Sequence, residues 1–294
     1  MTIELRPLHP LFVAEVEGID LRRPLESADV VAIKTAIDQH GVLVFRHQSL
    51  SQFEQIQFAE SFGPLDTGLG KLYGNVKRPS RFDYETLLDI SNVEVDGSVS
   101  DRDSRKNMSN LANQMWHSDS SFQQPKGQYS MLSAVVIPAQ GGATEYADLR
   151  AAYDTLPDDL RQEIQGLVAE HYALHTRIML GDTSYTEAQL EAMPPVHWPI
   201  AQLHAGSNRP VLFVGVHARL IVDYPLAEGR MLLSELLEHA TQPQFVHRHE
   251  WSVGDLVMWD NRCTLHRGRR YDLSQRREMR RTTTDDLDPV RALA

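Results

Sequence analysis

Apolar residues recur along this chain in two rhythms. From residue 29 to 40 the apolar positions Val30, Ile33, Ala36 and Ile37 fall at helical intervals, and Gly41 follows as a stop, so the spacing predicts a helix there. Val42 to Phe45 is then short, continuous and apolar, as a buried strand would be. Ser51 opens SQFEQIQFAESFG with Glu54 three residues on, a capping-box pattern that starts an amphipathic helix running towards Gly63. Strand-like runs follow at 129 to 137, 211 to 216, 245 to 251 and 255 to 260, with helical stretches at 148 to 167, 186 to 193 and 228 to 241. Turns carrying Pro157, Pro194, Pro195 and Gly206 punctuate them. Short strands framed by helices, without a βαβ rhythm, favour a mixed α+β fold around an antiparallel barrel over a doubly wound sheet.

One stretch breaks the pattern. From Asp66 to about Asn113 the chain is polar, and only LLDISNV (87 to 93) looks strand-like, so this excursion is expected to form a lid. No repeat or linker tract divides the rest, and 1 to 294 is read as a single domain.

Charge narrows the function. Lys and Arg number 29 against 40 Asp and Glu, a formal net charge of −11, which argues against general binding to nucleic acid or an anionic membrane surface. The one cysteine, Cys263, precludes an intrachain disulfide, and no stretch approaches ~18 uninterrupted apolar residues, so a cytosolic protein is expected.

The sharpest local feature is Trp116-His117-Ser118-Asp119. On an extended strand, residues two apart project to one face, so His117 and Asp119 can reach one ion. His266, just after DLVMWD and NRCTLH, offers a third ligand. Two histidines and one carboxylate leave coordination positions open, as in non-haem Fe(II) oxygenases. Zinc is the rival metal, but no His-Glu-x-x-His occurs. His247 and His249, and His171 and His175, are spaced to pair as well, and are read as structural or surface groups.

Between 262 and 281 stand Arg262, Arg267, Arg269, Arg270, Arg276, Arg277, Arg280 and Arg281, against Asp272 and Glu278. If Arg277 to Thr284 is a strand, Arg277 and Arg281 share a face with Met279. Two inward guanidinium groups without counter-charge would call for two bound anions. Thr144, in GGATEYAD, is the candidate hydroxyl to complete the first anion site.

The spaced set His117, Asp119, Thr144, His266 and Arg277 resembles the taurine dioxygenase-like 2-oxoglutarate oxygenases. NQMWHSDSSFQQP and DLVMWDNRCTLHRGRRYD are similar to the branch of that family that cleaves aryloxyacetates, and the likeness runs from about Leu8 to Thr284. The resemblance implies a double-stranded β-helix (jelly-roll) core with flanking helices. It implies Fe(II) on His117, Asp119 and His266, with 2-oxoglutarate and O2 as cosubstrates. Thr144 and Arg277 would hold the distal carboxylate of 2-oxoglutarate, and Arg281 the anionic group of the substrate. Lys71, Asn113, His204 and His217 are further candidates to border the substrate. The implied reaction is hydroxylation of the OCH2 carbon of an aryloxyacetate such as 2,4-dichlorophenoxyacetate, giving a phenol, glyoxylate, succinate and CO2. A sulfonate such as taurine, or an alkyl sulfate, is the alternative substrate. A zinc hydrolase and a metal-free binding module are the rival classes, and a homo-oligomer is expected from the likeness.

Overall fold

The computed structural model describes residues 3–67, 80–182 and 184–293. Its largest unit is a seven-stranded sheet, in the spatial order Glu4–Pro7, Ala14–Glu17, Val42–Phe45, Leu256–Asp260, Gly127–Val136, Glu278–Asp285, Leu88–Asp89. All neighbours are antiparallel except Ala14–Glu17 beside Val42–Phe45. The strands Val42–Phe45 and Leu256–Asp260 are apolar at nearly every position because both faces are covered. Leu43, Phe45, Met131, Leu256 and Met258 point to one side, where they pack on Ile33, Ala36 and Ile37 of the helix Ser27–His40 and on Phe58 and Ala59 of the helix Gln52–Glu60. Val42, Val44, Leu132, Val257, Trp259 and Met279 point to the other side, and Tyr146 from a second sheet packs among them.

That second sheet has three antiparallel strands, Val246–His249, Thr144–Asp148 and Thr264–Gly268. Tyr146 meets Trp259 at a ring separation of 5.5 Å, which joins the two sheets face to face. Two further three-stranded sheets and the helix Leu226–Ala240 enclose a separate apolar core on the outer side of the smaller sheet. Antiparallel and mixed sheets with flanking helices are thus the observed architecture.

The local signals act as chemistry requires. Gly41 takes a left-handed φ of 70° and its N–H bonds Ile37 O at 2.7 Å, ending the first helix. The Ser51/Glu54 capping box forms in both directions. The stretch 148 to 167 divides at Pro157 into the helices Leu149–Asp154 and Asp158–Glu163.

Two expectations need correction. The run 211 to 216 is a strand only over Pro210–Leu212, because Val216 N–H leaves the ladder to bond the carbonyl of Trp116 at 2.9 Å. The polar excursion carries a helix, Arg105–Ala112, whose N-cap Ser104 accepts from Asn107 N–H; apolar periodicity gave no sign of it. Among the described residues no helix is long and apolar enough to cross a membrane.

Candidate active site

His117 and His266 are backbone partners. They form an antiparallel bridge in which His117 N–H bonds His266 O at 3.0 Å and His266 N–H bonds His117 O at 2.9 Å. Two side chains on facing extended segments are thereby brought side by side, with ring centroids 4.1 Å apart. Asp119, two residues on, turns its carboxylate to both, with Oδ1 3.9 Å from His117 Nε2 and Oδ2 3.7 Å from His266 Nε2. All three are buried, and one donor atom from each lies within 4.8 Å of the other two.

Their chemistry suits a metal ion. His117 Nδ1 lies 2.8 Å from Met115 O, so Nδ1 carries the proton and Nε2 is left as the lone-pair donor facing Asp119. Burial lowers the proton affinity of both imidazoles, which keeps them neutral as ligands must be. Burial alone would raise the Asp119 carboxyl, but the Arg281 guanidinium and the two imidazoles outweigh it and bring it to about 2. Two neutral nitrogens and one anionic oxygen on one side of a point fit a divalent ion with free positions opposite.

A second layer fixes the ligands. Ser130 Oγ donates to Asp119 Oδ2 at 2.8 Å, and Asp119 N–H bonds Asn261 Oδ1 at 3.1 Å. Asn261 in turn receives Trp259 Nε1–H and donates to Ser130 Oγ. The rings of Trp259 and Tyr146 flank His266. Ser130 and Asn261 were not anticipated; their only sequence signal is a polar residue inside or directly after an otherwise apolar strand.

Next to the triad opens a cavity lined by Thr144, Tyr271, Arg277, His117, His266 and Arg281. Arg277 is buried and, among the described residues, no carboxylate pairs with it; its guanidinium meets only Ile90 O at 3.5 Å and the face of Tyr271 at 5.6 Å. Burial lowers its proton affinity, an effect that the neighbouring Tyr271 and Tyr146 phenols only partly offset. The Gly141–Gly142 turn leads into Thr144 with φ of 77° and 74°, and a Cβ on Gly142 would stand 3.4 Å from Arg277 Nε. Trp251 Nε1–H bonds Thr144 Oγ1 at 3.0 Å and orients the hydroxyl. This contact too was unforeseen.

Arg281 differs from Arg277. It shares the inward face, as the strand period requires, yet its Nη1 bonds the Asp119 carboxylate, so it already has a counter-charge. The uncompensated charge inferred from sequence therefore applies to Arg277 alone. Arg281 nonetheless lines a second, larger cavity of about 470 Å³ with Asn113, Phe122, Arg177, Tyr185 and His217. Asn113 is the C-cap of the helix Arg105–Ala112 and borders both cavities. His217 stands edge-on to Phe122, ring centroids 4.8 Å apart. His204 lies elsewhere, with Nε2 3.0 Å from Asp260 Oδ2 in a buried group with Arg262. Arg262 occupies that carboxylate, which disfavours a metal there. Lys71 lies outside the described residues. Within the basic strip, Arg267 and Arg269 both face Glu145, and Arg276 pairs with Glu278.

A buried His-Asp-His triad at the seam of two sheets could hold a metal ion, and beside it stands an arginine with no carboxylate partner among the described residues. The chain matches the family model "Taurine catabolism dioxygenase TauD, TfdA family" over residues 4–283, and it belongs to that family. It is 62% identical over 286 residues to the alpha-ketoglutarate-dependent 2,4-dichlorophenoxyacetate dioxygenase of Cupriavidus pinatubonensis (strain JMP 134 / LMG 1197), covering 97% of this chain and 99% of the relative. A protein of the same description from Burkholderia sp. (strain RASC) is 60% identical, covering 97% and 95%. The crystal structure of AAD-2 in complex with Mn(II) and N-oxalylglycine superposes with a TM-score of 0.90 at 42% identity, covering 98% of each chain.

Proposed function

We propose that this chain is an Fe(II)- and 2-oxoglutarate-dependent dioxygenase. It hydroxylates the OCH2 carbon of an aryloxyacetate such as 2,4-dichlorophenoxyacetate, with release of a phenol, glyoxylate, succinate and CO2. The observation that carries the reading is the buried, unpaired Arg277 in a cavity that His117 and His266 also line. Fe(II) with 2-oxoglutarate and O2 supplies the oxidising chemistry, in which decarboxylation to succinate is coupled to insertion of oxygen into a C–H bond. His117, Asp119 and His266 would hold the ion. Arg277 and Thr144 take the distal carboxylate of 2-oxoglutarate, a bidentate match for a guanidinium fork.

In the larger cavity, Arg281 receives the substrate carboxylate while remaining in contact with Asp119, and Asn113 borders the same group; Lys71, outside the described residues, is the candidate second clamp. Phe122 and His217 offer an aromatic wall to the aryl ring. Holding the carboxylate brings the OCH2 carbon towards the ion, and orientation decides which C–H bond reacts. The hydroxylated carbon is a hemiacetal that collapses without a hydrolytic residue, so the ether is cleaved although no nucleophile attacks it.

The same reading gives the chain one catalytic domain with a double-stranded β-helix core, a lid over 66–113, a cytosolic location and a homo-oligomeric state. The deciding experiment reconstitutes apo-protein anaerobically with Fe(II), admits O2 and 2-oxoglutarate, and measures succinate with and without 2,4-dichlorophenoxyacetate. Herbicide-stimulated succinate with phenol formation is expected. Stimulation by taurine or an alkyl sulfate alone would move the substrate, and no turnover with any of them would sink the reading.

A further inference from the structure

Arg277 has few hydrogen bonds of its own to aim it. Its guanidinium meets one carbonyl at 3.5 Å, and the strand it precedes is irregular just there, with a register shift between Glu278 and Met279. The main chain of Arg277 is held by Asn92, a residue of the polar excursion. Asn92 is fully buried; its Oδ1 accepts from Arg277 N–H at 2.8 Å, and its backbone N–H donates to Arg277 O at 3.2 Å. Both main-chain polar groups of Arg277 are therefore bonded to Asn92.

The remaining hydrogens of the Asn92 amide go to the turn that leads into Arg277. Nδ2 donates to Leu273 O at 3.0 Å and to Gln275 O at 2.8 Å. The side chain thus uses both donors and its acceptor within five consecutive residues. Three of the hydrogen bonds the amide can make are thereby tied to this one turn. Leu273 and Arg277 both line the cavity beside the triad, so a shift of this turn moves the cavity wall and the guanidinium together.

We propose that Asn92 is a positioning residue for the anion site, holding the Arg277 backbone so that its guanidinium meets the distal carboxylate of 2-oxoglutarate; this rests on the function proposed above. Removing the amide leaves the buried Arg277 N–H without its partner and frees the part-buried carbonyls of Leu273 and Gln275, so the turn is no longer fixed against residue 92. Because the metal ligands lie on other segments, the effect falls on 2-oxoglutarate and not on the ion.

The test uses full-length protein loaded with Mn(II), which binds without turnover, titrated calorimetrically with 2-oxoglutarate. Asn92→Ala is expected to weaken 2-oxoglutarate binding by about tenfold or more, with Mn(II) affinity within about twofold of wild type. In Fe(II) turnover, KM for 2-oxoglutarate should rise while kcat at saturation stays within about threefold. Asn92→Asp keeps the acceptor for Arg277 N–H but sets an oxygen against the Leu273 and Gln275 carbonyls in place of the donors, so a weakening of 2-oxoglutarate binding is expected there too; it carries the test should Asn92→Ala not fold. Unchanged 2-oxoglutarate affinity in a folded variant of lowered melting temperature would overturn the proposal and leave Asn92 a purely structural group. Failure of the underlying reading looks different: wild type itself would not bind 2-oxoglutarate, or Arg277→Met would bind it as wild type does.

Discussion

Arg277 and Arg281 stand four residues apart on one face and serve opposite electrostatic situations. Arg277 is buried with no acid beside it, so replacing it removes a cation whose absence leaves any bound carboxylate unpaired. Arg277→Met should weaken 2-oxoglutarate binding by about 100-fold, with little change in KM for the aryloxyacetate. Titration of the Mn(II) enzyme measures it directly. Arg281 is the counter-ion of Asp119 as well as a wall of the larger cavity. Arg281→Ala is therefore expected to raise substrate KM by about tenfold or more and to loosen the metal as well, because Asp119 loses the charge that keeps it ionised. An unchanged substrate KM would remove the substrate role, whatever the metal affinity does. The inward direction of both side chains was legible from a period of two. Their different partners were not, because Asp119 lies 162 positions away along the chain.

At the scale of elements, hydrophobic pattern and capping chemistry go far. The strands Val42–Phe45 and Leu256–Asp260 and the helices Ser27–His40 and Gln52–Glu60 lie where the sequence reading puts them, since each carries its own signal. Ser51 is exposed and its capping box closes on itself, so Ser51→Ala should cost about 1 kcal/mol of stability without touching the active site. Chemical denaturation at constant activity per folded molecule checks this; a loss below about 0.3 kcal/mol would mean the cap is redundant with the packing of Ile56, Phe58 and Ala59. The helix Arg105–Ala112 escaped because its sequence, RKNMSNLA, is polar on most sides. What organises it is external: Asn107 bonds the carbonyls of Ser100 and Asp101, and Asn110 that of Ser91. Amides that bond carbonyls elsewhere in the chain leave no periodic trace.

For the molecule as a whole, buried titratable groups set the response to acid. His171 is buried, stacks on Phe213 and, among the described residues, has no hydrogen-bond partner for either ring nitrogen; burial pushes it down to about 3. In the unfolded chain it protonates near 6.5, so below that pH the unfolded state takes up a proton that the folded state refuses. Stability is then fully present above about pH 6.5 and is lost as the pH falls towards 3. Between pH 7.5 and 5.5 this single group should contribute about 1–1.5 kcal/mol of that loss. His171→Phe should flatten the acid limb by that amount in urea unfolding at the two pH values; an equal slope in both proteins would contradict it. The carboxyl of Asp260 works in the same direction. Burial would raise it, but Arg262 and His204 overcome burial and hold it far below the usual range, so its contribution is lost as acid protonates it.

The chain by itself determined the candidate metal ligands, the strand and helix periods around them and the face on which Arg277 and Arg281 stand, because these follow from side-chain chemistry and backbone period within a few residues. The tertiary structure alone decided which groups complete the site. Register made His117 and His266 neighbours, strand order carried Ser130 and Asn261 to Asp119, and Asn92 left a polar excursion to seize the backbone of Arg277. Each of these contacts spans more than ten positions of chain. Hydrogen bonds of that reach depend on how sheets stack, and no local pattern encodes them.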